Sequence, residues 1–150
     1  MPFILMCGFP SSGKTKRTEE LKVYFESKLS KTVHIISDDS LKINKNEVYA
    51  DSKKEKDVRG NLKSSVQRIL NKDDVVILDS LNYIKGFRYE LYCVTKACQT
   101  PHCVTVLSCN FRFFVILART KHQNTTEIVQ NLTSIHKKYN YGCSEDKCSW

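Results

Sequence analysis

An open sheet of parallel strands flanked by helices, an α/β architecture, is the fold class this sequence predicts. Three observations predict it. An apolar run, PFILMC, ends at a glycine-framed stretch; apolar, β-branched runs alternate with helix-period segments as far as residue 109; and two of those runs end in aspartate.

The elements follow in order. Phe3 to Cys7 is continuously apolar and stops at Gly8, the pattern of a strand buried on both faces. From Gly13 to about Leu29, the residues Leu21, Phe25 and Leu29 share one face of a helix, with Lys and Glu between them. TVHIIS, 32–37, predicts a second strand, ending at Asp38 and Asp39. Residues 42–57 are polar and lysine-rich, a surface excursion with at most a short helix. Val58, Leu62, Val66 and Ile69 then mark a helix from Asp57 to Leu70. VVILDS, 75–80, is the third strand and carries Asp79; a helix from about Gly86 to Cys98 and a strand over HCVTVLSC, 102–109, complete the alternation. Beyond it, NFRFFVILA, 110–118, reads as a strand or an unplaced apolar run. Asn124 with Glu127 opens an amphipathic helix through Ile128, Leu132, Ile135 and Tyr139, and GCSEDKCSW is a loose tail.

Composition bounds the rest. At 150 residues, with 41% hydrophobic and 27% charged residues, the chain suits one domain with an ordinary core. A net charge of +8 favours a polyanionic partner, nucleic acid before membrane. The apolar start is too short for a signal peptide or a membrane span, so the expectation is no membrane and a cytosolic or nuclear address. Seven cysteines without a secretion signal read as reduced thiols, and the sequons at Asn124 and Asn131 are then irrelevant. Cys93, Cys98 and Cys103 beside His102 have gaps that zinc tolerates, but a helix and a strand separate them, and buried thiols are the commoner outcome; Cys143 and Cys148 add no more.

The informative stretch is GFPSSGKT. Gly8, Phe9, Pro10, Ser11, Ser12, Gly13, Lys14 and Thr15 fit GxxxxGK[ST] between a buried strand and an amphipathic helix, the context in which that motif cradles phosphate. Glycines let backbone amides turn inward, the helix N-terminus is positive, and Lys14 reaches the outer phosphates. Thr15 places its hydroxyl on Mg²⁺, and Asp79 is the second magnesium group. The fold class is thus a P-loop NTPase sheet, and ATP with Mg²⁺ the expected cofactors. Asp38 and Asp39 stand at the same sheet edge; there they orient or deprotonate an acceptor hydroxyl, or they only cap and turn the chain. DVRG, 57–60, and NKDD, 71–74, imitate GTPase signatures but follow no suitable strand, which favours adenine over guanine. In LNYIKGFRYEL, residues Asn82, Tyr83, Lys85, Arg88 and Tyr89 crowd the third strand's end, where they are candidates for phosphate or base contacts. The lysines and arginines between Lys42 and Lys72 alternate with acids and read mainly as a solvated face.

Together, GFPSSGKTKR, ISDDS and DSLNYIKGFRYELYC resemble the Elongator-associated P-loop ATPase of the killer-toxin-insensitivity family, itself similar to the kinase of seryl-tRNA for selenocysteine. The resemblance covers about residues 1–106. It implies ATP held by Gly8 to Thr15, magnesium supported by Asp79 and by Asp38 or Asp39, and tRNA-dependent ATP hydrolysis assisting wobble-uridine modification by Elongator. Tail and family part company near Leu107, where FRFFVILARTKHQN does not follow the family's continuation. The chain therefore divides into an ATP-binding domain, 1–106, and a divergent tail, 107–150, and the fold is expected to be incomplete at the C-terminus. Hydrolysis then depends on lid elements present or supplied in trans. Two alternatives stand beside the ATPase: a small-molecule or nucleic-acid kinase, and a non-catalytic fragment that binds nucleotide or Elongator.

Overall fold

A computed structural model describes residues 2–38 and 51–107, and the backbone of the strand Phe113–Ala118. The elements are β1 (Phe3–Gly8), α1 (Lys14–Leu29), β2 (Val33–Ser37), α2 (Ser52–Ile69), β3 (Val75–Asp79), α3 (Lys85–Ala97), β4 (His102–Leu107) and β5 (Phe113–Ala118). The strands form one sheet in the order β2-β3-β1-β4-β5. The first four run parallel, as the βαβ alternation predicts, and β5 joins β4 antiparallel. Of the apolar run at 110–118, the part Phe113–Ala118 is therefore a strand. Its predicted helical neighbour from Asn124, and the tail, lie outside the described residues.

The continuous apolar reading of β1 and β3 has a direct cause. Successive side chains alternate across the sheet, and both faces are covered. Phe3, Leu5, Val76 and Leu78 pack with Val58, Leu62 and Val66 of α2 and Phe87 and Leu91 of α3. Ile4, Met6, Val75 and Ile77 pack with Leu21 and Phe25 of α1. Helix α1 covers one face, and α2 and α3 cover the other.

This arrangement positions a site. Strands β1 and β3 are neighbours, yet the chain leaves β1 for the α1 face and leaves β3 for the opposite one. Adjacent strand ends whose connections diverge open a crevice at the carboxyl edge of a parallel sheet, where such folds bind ligands. Gly8 ends one of these strands and Asp79 the other.

Helix α2 starts well before Asp57, where its apolar periodicity becomes visible. Asp51 is its N-cap, accepting from the backbone N–H of Lys53 at 2.9 Å, so the polar turn SKKEK is helical. DVRG consequently lies inside a helix. NKDD is a turn: Asn71 Oδ1 accepts from the backbone N–H groups of Asp73 at 2.9 Å and Asp74 at 2.7 Å. Among the described residues no helix is long and apolar enough to cross a membrane.

Candidate functional site

The crevice begins at Gly8, paired with Leu107 of β4. A Cβ on Gly8 would stand 2.5 Å from the Leu107 carbonyl oxygen and 2.9 Å from Ser12 Oγ, so only glycine lets the loop turn this tightly against β4. Phe9 and Pro10 form the exposed tip, Phe9 at 71% exposure. The loop closes by a bond from Ser12 N–H to the Phe9 carbonyl at 3.3 Å, with Ser11 at φ 59°. Gly13 sits in the left-handed region at φ 84°, and a Cβ there would face open space.

Helix α1 then starts without the features that normally finish an N-terminus. Its N-cap is Gly13, which supplies no side-chain hydrogen bond, and its first turn holds no acidic residue. Instead Lys14, Lys16 and Arg17 crowd the positive end of the dipole, an arrangement unfavourable for the isolated helix and suited to an anion. The buried Lys14 folds back over the loop, its Nζ donating to the carbonyls of Gly8 at 3.0 Å and Phe9 at 2.7 Å. Ser12 Oγ is buried and has no partner among the described residues. Thr15 is exposed on the first turn of α1.

Across the crevice, Asp79 of β3 is buried and level with Met6 of β1 and Ser37 of β2. Asp38, one residue past β2, is buried as well. Both carboxylates thus belong to the edge that Gly8 closes, while Asp39 lies outside the described residues. The residues present fit a hydrated magnesium ion: a hydroxyl at Thr15 and a carboxylate at Asp79 are the hard oxygen donors such an ion takes when phosphates and water complete its shell. No group of three or more His, Cys, Asp or Glu suited to a metal exists among the described residues. Cys93, Cys98 and Cys103 are free thiols; Cys93 is exposed, against the expectation of buried thiols, while Cys103 is buried, and burial pushes its thiol up to about 11.

The segment after β3 is built by local bonds. Asn82 adopts φ 49°, a left-handed turn that asparagine tolerates, and its Nδ2 donates to the Met6 carbonyl at 2.7 Å and that of Ser80 at 3.3 Å. Arg88 returns from α3, its guanidinium donating to the carbonyls of Asn82 at 3.0 Å and Tyr83 at 2.7 Å. Cys7 Sγ donates to the same Asn82 carbonyl at 3.3 Å. Burial raises the Cys7 pKa, while the nearby charges of Arg88 and Lys14 pull it back. Asn82 and Arg88 therefore fasten the two strand ends together. Tyr83, Lys85 and Tyr89 face solvent, and the Tyr83 hydroxyl donates to Glu55 Oε1 at 2.6 Å. Glu55 also pairs with Arg59 at 2.7 Å. The sequence reading missed Glu55 and Arg59, since charged residues on a polar helix face give no signal until the fold brings the β3–α3 segment against them.

Comparisons with known proteins give the family and the fold. The family model described as "Chromatin associated protein KTI12" matches residues 1–146. A protein KTI12 homologue of Danio rerio is 61% identical over 104 residues, covering 69% of this chain but 38% of its own length. The chain thus spans less than two-fifths of that curated relative. The crystal structure of Chaetomium thermophilum Kti12 in complex with ADP-AlF3 superposes with a TM-score of 0.65 at 36% identity, covering 93% of this chain and 69% of that one. The APS kinase of Mycobacterium tuberculosis superposes with a TM-score of 0.61 at 11% identity, covering 91% of this chain and 96% of that one, a likeness of fold alone.

Proposed function

The chain belongs to the KTI12 family, and on that premise we propose that it binds Mg-ATP in the loop Gly8 to Thr15. The observation that carries this reading is the loop itself: a glycine that no other residue replaces, a left-handed glycine, and an uncapped helix start ringed by Lys14, Lys16 and Arg17. Backbone N–H groups of such a loop solvate phosphate oxygens that water would otherwise hold. The relative solved with ADP-AlF3 supports a nucleotide as the ligand.

Each residue has a task. Lys14 exchanges its two carbonyl partners for the outer phosphates, supplying a charge without opening the fold. Thr15 and Asp79 hold Mg²⁺, which when bound neutralises phosphate charge. Asn82 and Arg88 keep the ends of β1 and β3 at fixed spacing, so that Asp79 and the loop stay aligned. Asp38, buried at the same edge, is the residue to orient an attacking water, or an acceptor hydroxyl in a kinase. Asp39 shares that proposal by position in sequence.

On the family premise the nucleotide cycle serves Elongator in tRNA wobble-uridine modification, with tRNA as the polyanion that the net charge of +8 favours. The family description, chromatin associated, supports a nuclear address. We assign residues 1–106 to the nucleotide-binding domain and 107–150 to the divergent tail. Binding without turnover is the second reading.

Phosphate release from ATP, with and without tRNA, separates these readings. Release stimulated by tRNA supports the ATPase, transfer of the γ-phosphate to an acceptor supports a kinase, and ATP binding without either supports the binding fragment. Absence of ATP binding overturns all three.

A further inference from the structure

Helix α3 has one face in the core and a patterned face in water. Phe87, Leu91 and Thr95 are its buried side. Opposite them Lys85, Tyr89, Tyr92 and Lys96 recur at spacings of four, three and four, so they line up as one stripe along the helix. At 1.5 Å of rise per residue the stripe is about 16 Å long. Lys85, Tyr89 and Lys96 are exposed, Tyr89 at 66%, and Tyr92 is half-buried. The two tyrosine rings stand 6.3 Å apart, inclined at 36°. Tyr92 packs edge-on against the buried His102 of β4 at 5.8 Å, which sets the stripe on the β4 side of α3 and holds its inner ring in place.

Charge on this layer is sorted. Glu90, the one acid of α3, lies about 100° round the helix from Tyr89, where Lys63 of α2 holds it at 2.9 Å. Glu55 is taken up by Arg59 at 2.7 Å and by the Tyr83 hydroxyl at 2.6 Å. The seam between α2 and α3 is thus satisfied within the fold. Lys85 and Lys96 pair with no acid among the described residues. The stripe therefore carries two uncompensated cations, one at each end of an aromatic pair.

A lone exposed lysine or tyrosine is ordinary; their alternation is what constrains the occupant. Ammonium groups meet phosphates as point charges, and exposed tyrosine faces take unstacked bases whatever their sequence. A duplex hides its base faces and can use only the lysines. An acidic peptide supplies carboxylates for the lysines but no flat ring for Tyr89.

We infer that the outer face of α3 is a contact surface for single-stranded RNA, with bases resting on Tyr89 and Tyr92 and phosphates on Lys85 and Lys96. The inference rests on the reading of tRNA as the partner, and it names the face that holds the RNA and the unpaired part that is held. Because α3 leaves β3 at the carboxyl edge and returns to the start of β4, a strand seated on the stripe leads towards the nucleotide crevice.

Fluorescence anisotropy tests this with the purified 150-residue chain, a fluorescein-labelled unstructured eight-nucleotide RNA and a duplex of equal length. Tyr89→Ser, at an exposed position, is expected to weaken single-strand binding about tenfold, within the range for one lost stacked base, and to leave duplex binding unchanged. Tyr89→Phe keeps the ring and should keep the affinity. Lys85→Gln combined with Lys96→Gln should weaken binding and reduce the slope of log K against log salt by about 1.4 for the single strand, two phosphate contacts at about 0.7 each. Lys22→Gln combined with Lys28→Gln makes the same change of charge on α1 and should leave that slope as in the parent. Thermal unfolding with and without Mg-ATP, the same in every variant as in the parent, establishes that the fold and the phosphate loop are intact. Single-strand binding undiminished by Tyr89→Ser, or a slope lowered equally by the two lysine pairs, overturns the inference while the tRNA reading stands. Displacement of the RNA by polyglutamate as readily as by unlabelled RNA also overturns it and assigns the face to an acidic protein segment. A parent chain that binds no RNA overturns both the inference and the tRNA reading; a parent that Mg-ATP does not stabilise is a separate failure, of the phosphate loop.

Discussion

Gly8→Ala is the sharpest perturbation of this fold. The added methyl carbon would lie 2.5 Å from the Leu107 carbonyl oxygen and 2.9 Å from Ser12 Oγ. Ser12 can rotate away, but the Leu107 oxygen is backbone in β4, paired with β1 along its length. Relief therefore requires β1 and β4 to part at the mouth of the site. Overpacking of this kind costs about 1–3 kcal/mol, and the glycine-only conformation at φ 155° adds about 1–3 kcal/mol more. For a chain of this size, with roughly 3 °C of unfolding temperature per kcal/mol, a fall of about 6–18 °C is expected in thermal unfolding followed by circular dichroism. Gly13→Ala is the control: φ 84° is strained for alanine, but its Cβ meets open space, so only the left-handed penalty of about 1–2 kcal/mol is expected. A Gly8→Ala chain as stable as Gly13→Ala would refute the close approach of the loop to β4.

Three further outcomes follow from the same geometry. Burial without compensating charge lowers the His102 pKa from 6.5 to about 4, so the folded state binds fewer protons than the unfolded state between those values. Stability is complete above about pH 6.5 and falls by about 3 kcal/mol as pH drops towards 4; urea unfolding across that range should show the slope, and His102→Gln should flatten it. Phe25→Ala empties the α1 face of the core, where the ring is 1% exposed, and should cost about 3–5 kcal/mol by urea unfolding. Asp79→Asn should leave a folded chain whose ATP affinity, measured by calorimetry, no longer responds to Mg²⁺; a full Mg²⁺ response would remove Asp79 from the metal site.

Much of this architecture was legible because it is written in periodicities. The apolar run from Phe3 to Cys7 reads as buried on both faces because α1 takes Ile4 and Met6 while α2 and α3 take Phe3 and Leu5. The loop from Gly8 to Gly13 was legible for a different reason: Gly8 stands where a Cβ would meet the Leu107 carbonyl, and Gly13 adopts a left-handed φ. Helix α2 was legible only from Val58, since its first turn carries charged residues and is fixed by the Asp51 cap rather than by apolar spacing. The direction of β5 was hidden because an uninterrupted apolar run carries no sign of orientation. Asn82 and Arg88 illustrate a third kind of gap. Polar residues near a site look alike in sequence whether they meet a ligand or a backbone carbonyl, and a left-handed turn at Asn82 turns both inward to carbonyls. Their neighbours Tyr83, Lys85 and Tyr89 remain outward.

The central claim is that Gly8 to Thr15 holds Mg-ATP, and thermal unfolding of the 150-residue chain with and without Mg-ATP, beside Lys14→Ala, tests it most directly. A ligand bound only by the folded state adds about 2.7 kcal/mol at a hundredfold excess over its dissociation constant. At roughly 3 °C per kcal/mol the account predicts a rise of about 8 °C in the parent and little or none in Lys14→Ala. A cooperative transition that ATP leaves unmoved in the parent, or raises equally in both chains, would contradict it.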